Sequence, residues 1–240
     1  MAARAKTGVA PFSGYSTKGV TWWRGIVKNN NRDWFMAQKP VFETEVKEAT
    51  EQLAAGVAAK LASFAPAYVP ADPKKAVMRI YRDTRFSKDK SPYKTELGVK
   101  FGRVGADGKA GGPQDCAGFW FSVGAKGLDV VGGAYAPGGP QLKSLRAWLD
   151  ENHKDLERVL KRKALREAMG ELQGEQLVRV PRGFDPEHPA ADLLRRKQLY
   201  LHAHLPAKLL RTPDLQKEIV RRFKLMLPFT DMLNEALGAS

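Results

Sequence analysis

Residues 119–135 read FWFSVGAKGLDVVGGAY, and this stretch decides the fold. Phe119 to Val123 and Leu128 to Tyr135 are rich in aromatic and β-branched residues, and Gly124 to Gly127 between them suit a short hairpin loop. Strands joined this closely pair antiparallel, because a parallel return needs a crossover of a dozen residues or more. Upstream, Glu96 to Arg103 is a further strand, and Ala76 to Tyr81 another, with Ala76, Met78 and Ile80 on one face and Val77, Arg79 and Tyr81 on the other. Downstream, Leu199, Leu201, Ala203 and Leu205 alternate with Tyr200, His202 and His204, and Leu177 to Val180 is expected to extend or flank the sheet. The Gly132-Gly133 pair inside a strand reads as a bulge. Gly105 to Gly118, rich in Gly and Pro with few apolar residues, reads as an exposed, mobile loop.

Helical periodicity surrounds these strands. Thr17 to Lys28 carries Val20, Trp23, Ile26 and Val27, and the Asn29 to Asn31 triplet closes it and lets Asn31 cap a second helix, Arg32 to Gln38. Pro40 suits the first turn of a third helix, whose stripe is Phe42, Val46, Ala49, Leu53, Val57, Leu61 and Phe64. Gln141 to Asn152, His153 to Met169 and Ala190 to Lys197 read as helices. Thr212 is expected to cap a closing helix with Pro213 at its first position, a stripe of Leu215, Ile219, Phe223, Met226, Leu233 and Leu237, and a kink at Pro228. Helices before, between and after a run of strands define an α+β fold: an antiparallel sheet of about five or six strands packed by amino-terminal, middle and carboxy-terminal helices. Residues 1–11 read as a disordered tail and 12–238 as one α+β domain, a length that a single core can serve.

Composition bounds the function. A hydrophobic fraction of 43% with five Trp and eleven Phe is that of a chain able to fold alone. The net charge of +14 creates a field that attracts polyanions: nucleic acid, an anionic surface or a phosphorylated ligand. Cys116 is the single cysteine, which excludes an intrachain disulfide and a four-cysteine zinc site and points to a reducing compartment. No apolar run reaches the length of a signal-peptide core or a membrane span, so a cytoplasmic protein with no membrane partner is expected.

The charge concentrates in RIYRDTRFSKDKSPYKT, residues 79–95. Arg79, Arg82, Arg85, Lys88, Lys90 and Lys94 face only Asp83 and Asp89, a surplus of four positive charges that repel one another unless a phosphate or an acidic surface offsets them. Guanidinium forks and ammonium groups can converge on one anion, with Ser87, Ser91 and Tyr93 adding neutral hydrogen bonds. Arg179 and Arg182 form a second cluster that can close such a site from across the sheet. The competing arrangement is internal: Asp83 and Asp89 tie the loop together, and Arg179 and Arg182 pair with Glu175, Asp185 or Glu187.

Three stretches, FSGYS followed by NNNRDWF, the basic loop, and RVPRGFDPEHPAADLLRRK, resemble the bacterial and fungal family known as domain of unknown function 2461, over about Phe12 to Leu237. The resemblance implies one full-length domain and marks these segments as the ones to locate. It implies no activity, cofactor or partner. His202 and His204 lie outside the three stretches.

Other patterns carry less. Arg32, Trp34 and Phe35 offer either a stacking platform beside a cation or ordinary core packing. Ser87/Lys90 and Ser91/Lys94 match the spacing of an acylating serine and its lysine, but Pro92 and the crowd of like charges indicate a loop rather than the required helical turn. His202 and His204 share a strand face, a spacing that holds zinc only if a third ligand arrives from elsewhere, so no metal site is assigned. The basic run Arg158 to Arg166 covers several helical faces and reads as a solvated surface. No phosphate-loop or dinucleotide motif is present, and no cofactor is expected. The sequence thus supports a phosphate-bearing ligand, most economically nucleic acid, on the basic loop. The alternative is an enzyme for a small phosphorylated or acidic metabolite with Asp83 or Asp89 as proton acceptor.

Overall fold

A computed structural model describes residues 11–105 and 109–239, so the expected tail falls, but for Pro11, outside the described residues. The chain runs through α1 (Thr17–Lys28) and α2 (Arg32–Val41), a π-helical stretch Phe42–Lys47, and α3 (Glu48–Leu61). Strands β1 (Glu96–Gly102), β2 (Gly118–Gly124) and β3 (Gly127–Ala134) come next, then α4 (Gly139–Leu160), α5 (Lys163–Met169) and α6 (Ala191–Leu194), and finally β4 (Leu199–Pro206) and α7 (Asp214–Leu237). The fold is α+β, with one antiparallel sheet in the order β1-β2-β3-β4.

The sheet has four strands rather than five or six. Pro73 opens a 3-10 turn through Ala76, and the residues after that turn only lean on the β1 edge, through a Val77–Val99 bridge and a bond from Met78 N to Gly98 O at 2.8 Å. Leu177 turns aside, its N–H bonding Arg195 O at 2.8 Å, so that its segment closes the 176–196 loop on itself instead of extending the sheet. Nor is Gly132-Gly133 a bulge. Gly132 pairs with Phe119 and Leu201, and Gly133 with Gly118 and Tyr200, in an unbroken ladder. A Cβ at Gly132 would stand 2.7 Å from Met226 Sδ of α7, so glycine there lets the helix approach.

Helix ends follow local chemistry. The side chain of Ser16 accepts from Gly19 N and that of Asn31 from Trp34 N, capping α1 and α2. Pro40 lies inside α2 rather than starting a third helix; without an N–H it breaks the regular ladder, and the chain winds as a π-helix over the next turn before α3. In α1 Trp22 is buried, whereas Val27 is 52% exposed. The two helices expected over 141–169 are one long helix and a short one, and that over 190–197 shrinks to four residues. α7 starts at Asp214 with Pro213 as its cap; Thr212 Oγ1 donates back to Leu209 O instead of capping.

One face of the sheet is sealed. Val99, Phe101, Phe119, Phe121, Val130 and Leu201 point to the main core, where Phe223 of α7 stacks on Phe119 at 4.7 Å and meets Phe101 edge-on at 6.0 Å. A smaller aromatic cluster holds Trp22, Trp23, Phe35, Phe42 and Tyr93. α7 also pins the entry to β2. Asn234 Oδ1 accepts from Ala117 N at 2.9 Å, and its Nδ2 donates to Ala117 O at 3.2 Å and Tyr68 Oη at 2.8 Å. Tyr68 in turn donates to Asp231 at 2.6 Å, and burial together with that carboxylate holds its phenol above the usual range. Asn234→Ala strands the buried N–H and C=O of Ala117, so urea unfolding is expected to show a loss of about 3 kcal/mol. A loss under about 1 kcal/mol contradicts a clamp.

Candidate functional site

Among the described residues the opposite face of the sheet carries no helix, and its register arranges side chains in rows. Lys100, Trp120, Val131 and His202 are successive cross-strand partners; Gly102, Gly118, Gly133 and Tyr200 make the next row. On the other side of the first row come Gly98, Ser122, Asp129 and His204. Because three positions of the second row and Gly98 of the third lack side chains, the face is recessed around Trp120, and a cavity of about 610 Å³ lies over it. Met78 and Lys94 wall one side, and Gly111 to Pro113 with Cys116 wall another, with Tyr135 and Tyr200 packed together at the end, 5.2 Å between rings. Ligand sites commonly fall between 300 and 1,000 Å³, roughly the range that holds this cavity.

The described residues of the 103–117 segment correct the expectation of a fully exposed loop. They fold back, with a Val104–Ala110 bridge and a bond from Gly111 N to Arg103 O at 2.7 Å, and Cys116 and Ala117 are buried. Cys116 lines the cavity, but burial pushes its thiol up, away from the reactive thiolate.

The basic loop divides into structural and unpaired cations. Arg82 bonds Asp89 and reaches Ser87 Oγ at 3.4 Å; Arg85 forks onto Asp83 at 3.0 and 2.7 Å; Lys90 Nζ donates to Thr84 O at 3.0 Å. These bonds hold the loop in shape and leave Phe86 at its tip, 94% exposed. Neither lysine faces its serine: Ser91 Oγ donates to Asp89 at 2.6 Å, and Ser87 accepts from Arg82. Arg79, Lys88 and Lys94 have no side-chain hydrogen bond or ion pair among the described residues, and of the loop's cations Lys94 lines the cavity. Burial draws the Lys94 ammonium below its usual range, and the Arg79 charge adds to this.

Tyr93 is 4% exposed and stacks on Phe35 at 4.0 Å, and the Asn30 amide clasps its backbone, donating to Tyr93 O at 2.9 Å and accepting from Tyr93 N at 3.1 Å. Thus NNNRDWF and the basic loop, far apart in sequence, meet in the small core, and Phe35 is packing rather than platform. Trp34 lies against Trp22 at 5.8 Å. Arg179 and Arg182 are exposed, and the expected pairing with Glu175, Asp185 or Glu187 is absent among the described residues, Glu175 being held by Lys197. Their segment joins the sheet at Gln173–Tyr200, on the β4 edge, opposite the edge where the 77–95 segment lies, and neither lines the cavity.

Sequence reasoning passed over Lys100, Trp120, Asp129, Tyr135 and Tyr200. Asp129 Oδ1 lies 2.8 Å from His202 Nε2 and 3.0 Å from His204 Nδ1, a carboxylate supplied by the neighbouring strand. Among the described residues no group of three or more His, Cys, Asp or Glu is arranged to hold a metal ion. No helix of the described residues is long and apolar enough to cross a membrane.

Ser91, through its hydroxyl and backbone N–H, and then Arg82 hold the Asp89 carboxyl down to about 2. A carboxyl depressed in the fold stabilises the loop above its free value of about 3.9 and loses that contribution as pH falls through the folded value. The Ser91 amide resonance is therefore expected to titrate with a midpoint near 2. A midpoint near 4 contradicts the loop lattice.

The family model described as Conserved hypothetical protein (DUF2461) matches residues 19–232, and the chain belongs to that family. No curated protein matches the chain.

Proposed function

We propose that this DUF2461 protein, acting over residues 12–238 as one domain, binds a phosphate-bearing ligand with planar rings, most economically single-stranded nucleic acid, across the open face of its sheet. The observation that carries this reading is the recessed face itself: a half-buried Trp120 flanked by Tyr135 and Tyr200, with the ammonium groups of Lys94 and Lys100 lining the same cavity. Bases stack on aromatic faces regardless of sequence, each worth about 1 to 3 kcal/mol, while cations follow the backbone. The basic loop keeps its role in a narrower form. Arg82, Arg85 and Lys90 build it, and Arg79, Lys88 and Lys94 remain to meet phosphates. Arg179 and Arg182, on the far edge, extend the positive track rather than close the groove. A net charge of +14 supports capture of a polyanion at long range.

A second reading, an enzyme for a small phosphorylated or acidic metabolite, draws on the walls that flank the cavity and on the Asp129-held His202 within it. Competition separates the two. A fluorescein-labelled single-stranded DNA 12-mer is expected to bind with affinity that falls steeply with salt, and the double variant Lys94→Glu/Lys100→Glu to weaken it by about 10-fold or more. Mononucleotides competing as well as the oligomer favour the metabolite reading. Absence of binding at low salt removes the nucleic-acid reading.

A further inference from the structure

Asp129, His202 and His204 stand together on the open face, and one carboxylate oxygen serves both rings. An ionised carboxylate has no hydrogen to give, so His202 Nε2 and His204 Nδ1 must each carry the proton that points at it. In the neutral rings this leaves His202 Nδ1 and His204 Nε2 as bare acceptors, and neither has a protein partner among the described residues. The rings are accessible: the side chains are 34% and 46% exposed against 26% for Asp129. His202 lines the cavity and His204 lies two residues further along the same face, roughly 7 Å away. With one ring protonated and the other neutral, the pair presents one donor and one acceptor, both rings being held on the same Asp129 oxygen.

Among the described residues the open face supplies no free side-chain nucleophile beside them. Ser122, the cross-strand partner of Asp129, already donates its hydroxyl to Glu96 at 2.8 Å. The attacking oxygen then comes from water or from the substrate, and a ribose 2′-hydroxyl, already held beside the phosphorus, has the advantage of proximity.

We propose that the histidine pair cleaves the ribose-phosphate backbone of RNA lying in the groove by internal transesterification, an activity that rests on the reading of the groove as a single-strand site. His202 Nδ1 takes the proton of the 2′-hydroxyl while that oxygen forms a bond to the adjacent phosphorus. The bond from phosphorus to the 5′-oxygen breaks, and the departing oxygen takes the proton from His204 Nε2. The products are a 2′,3′-cyclic phosphate and a 5′-hydroxyl end, and proton exchange with solvent resets the two rings. Asp129 orients both imidazoles and stabilises positive charge on His202 as the proton arrives.

The test compares an end-labelled mixed-sequence oligoribonucleotide with the same oligomer built entirely of 2′-deoxy nucleotides. The chain is expected to cut the first into fragments ending in cyclic phosphate and to leave the second intact. H202Q and D129N are each expected to slow cutting by about 100-fold or more in the single-turnover rate at saturating protein, a readout that a change in affinity alone does not move. Cleavage by H202Q at the parent rate, or cutting of the deoxy oligomer, overturns the assignment. If the deoxy oligomer binds and the RNA stays whole, the cleavage inference falls and the groove reading stands; if neither oligomer binds, both fall.

Discussion

Phe223 of α7 meets Phe101 and Phe119 of the sheet at once, and the rest of the molecule depends on that contact. Burying a phenylalanine contributes about 1.5 to 3 kcal/mol, so this aromatic patch decides which face of the sheet turns inward. Once Val99, Phe101, Phe119 and Phe121 are committed to α7, the period of two along each strand sends Gly98, Lys100, Gly102, Gly118 and Trp120 the other way. A one-residue slip would bury Lys100 and expose Phe101. The groove is thus the reverse side of the core, its floor low because glycine occupies positions where a side chain would fill it.

Charge is handled in two distinct ways on this scaffold. In the loop at 82–91, two acids and the backbone satisfy Arg82, Arg85 and Lys90, and the result is a rigid turn. Lys94 sits at the end of the same loop with no ion pair among the described residues, desolvated and close to the Arg79 charge, which the nearby Glu96 offsets only in part. A cation held against its preference in a cleft lined by aromatics is a poor way to stabilise a fold and a good way to receive an anion. The Asn30 clasp on Tyr93 and the stacking of Phe35 over its ring fix where that loop ends, so the small aromatic core serves the groove by setting the position of Lys94.

Local rules made most elements legible. The hairpin at 119–135, the cap at Asn31 and the apolar stripes of α3 and α7 follow from turn chemistry and periodicity. Where neighbours in space decide, those rules misplace the answer: alternation at Ala76 to Tyr81 reads as a strand, but Pro73 and the loop beyond it leave only an edge contact. Glycines at 132 and 133 read as a bulge because the approach of Met226 is invisible in sequence. The site suffers most. Lys94 and Arg79 could be singled out from charge density, yet the row from Lys100 to His202 is assembled from four strands, and Asp129 meets His202 only through the β3–β4 register. Of the recognisable family segments, the basic loop supplies Lys94 to the wall of the groove and NNNRDWF holds the end of that loop, while the four strands supply the floor.

The central claim is that the unsealed face of the sheet is where the ligand lies. A crystal structure of the chain with a short single-stranded oligonucleotide tests it most directly. Bases stacked over Trp120 and Tyr200 with phosphates beside Lys94 and Lys100 are the expected result; an oligonucleotide seated on the helices, with the groove vacant, contradicts it.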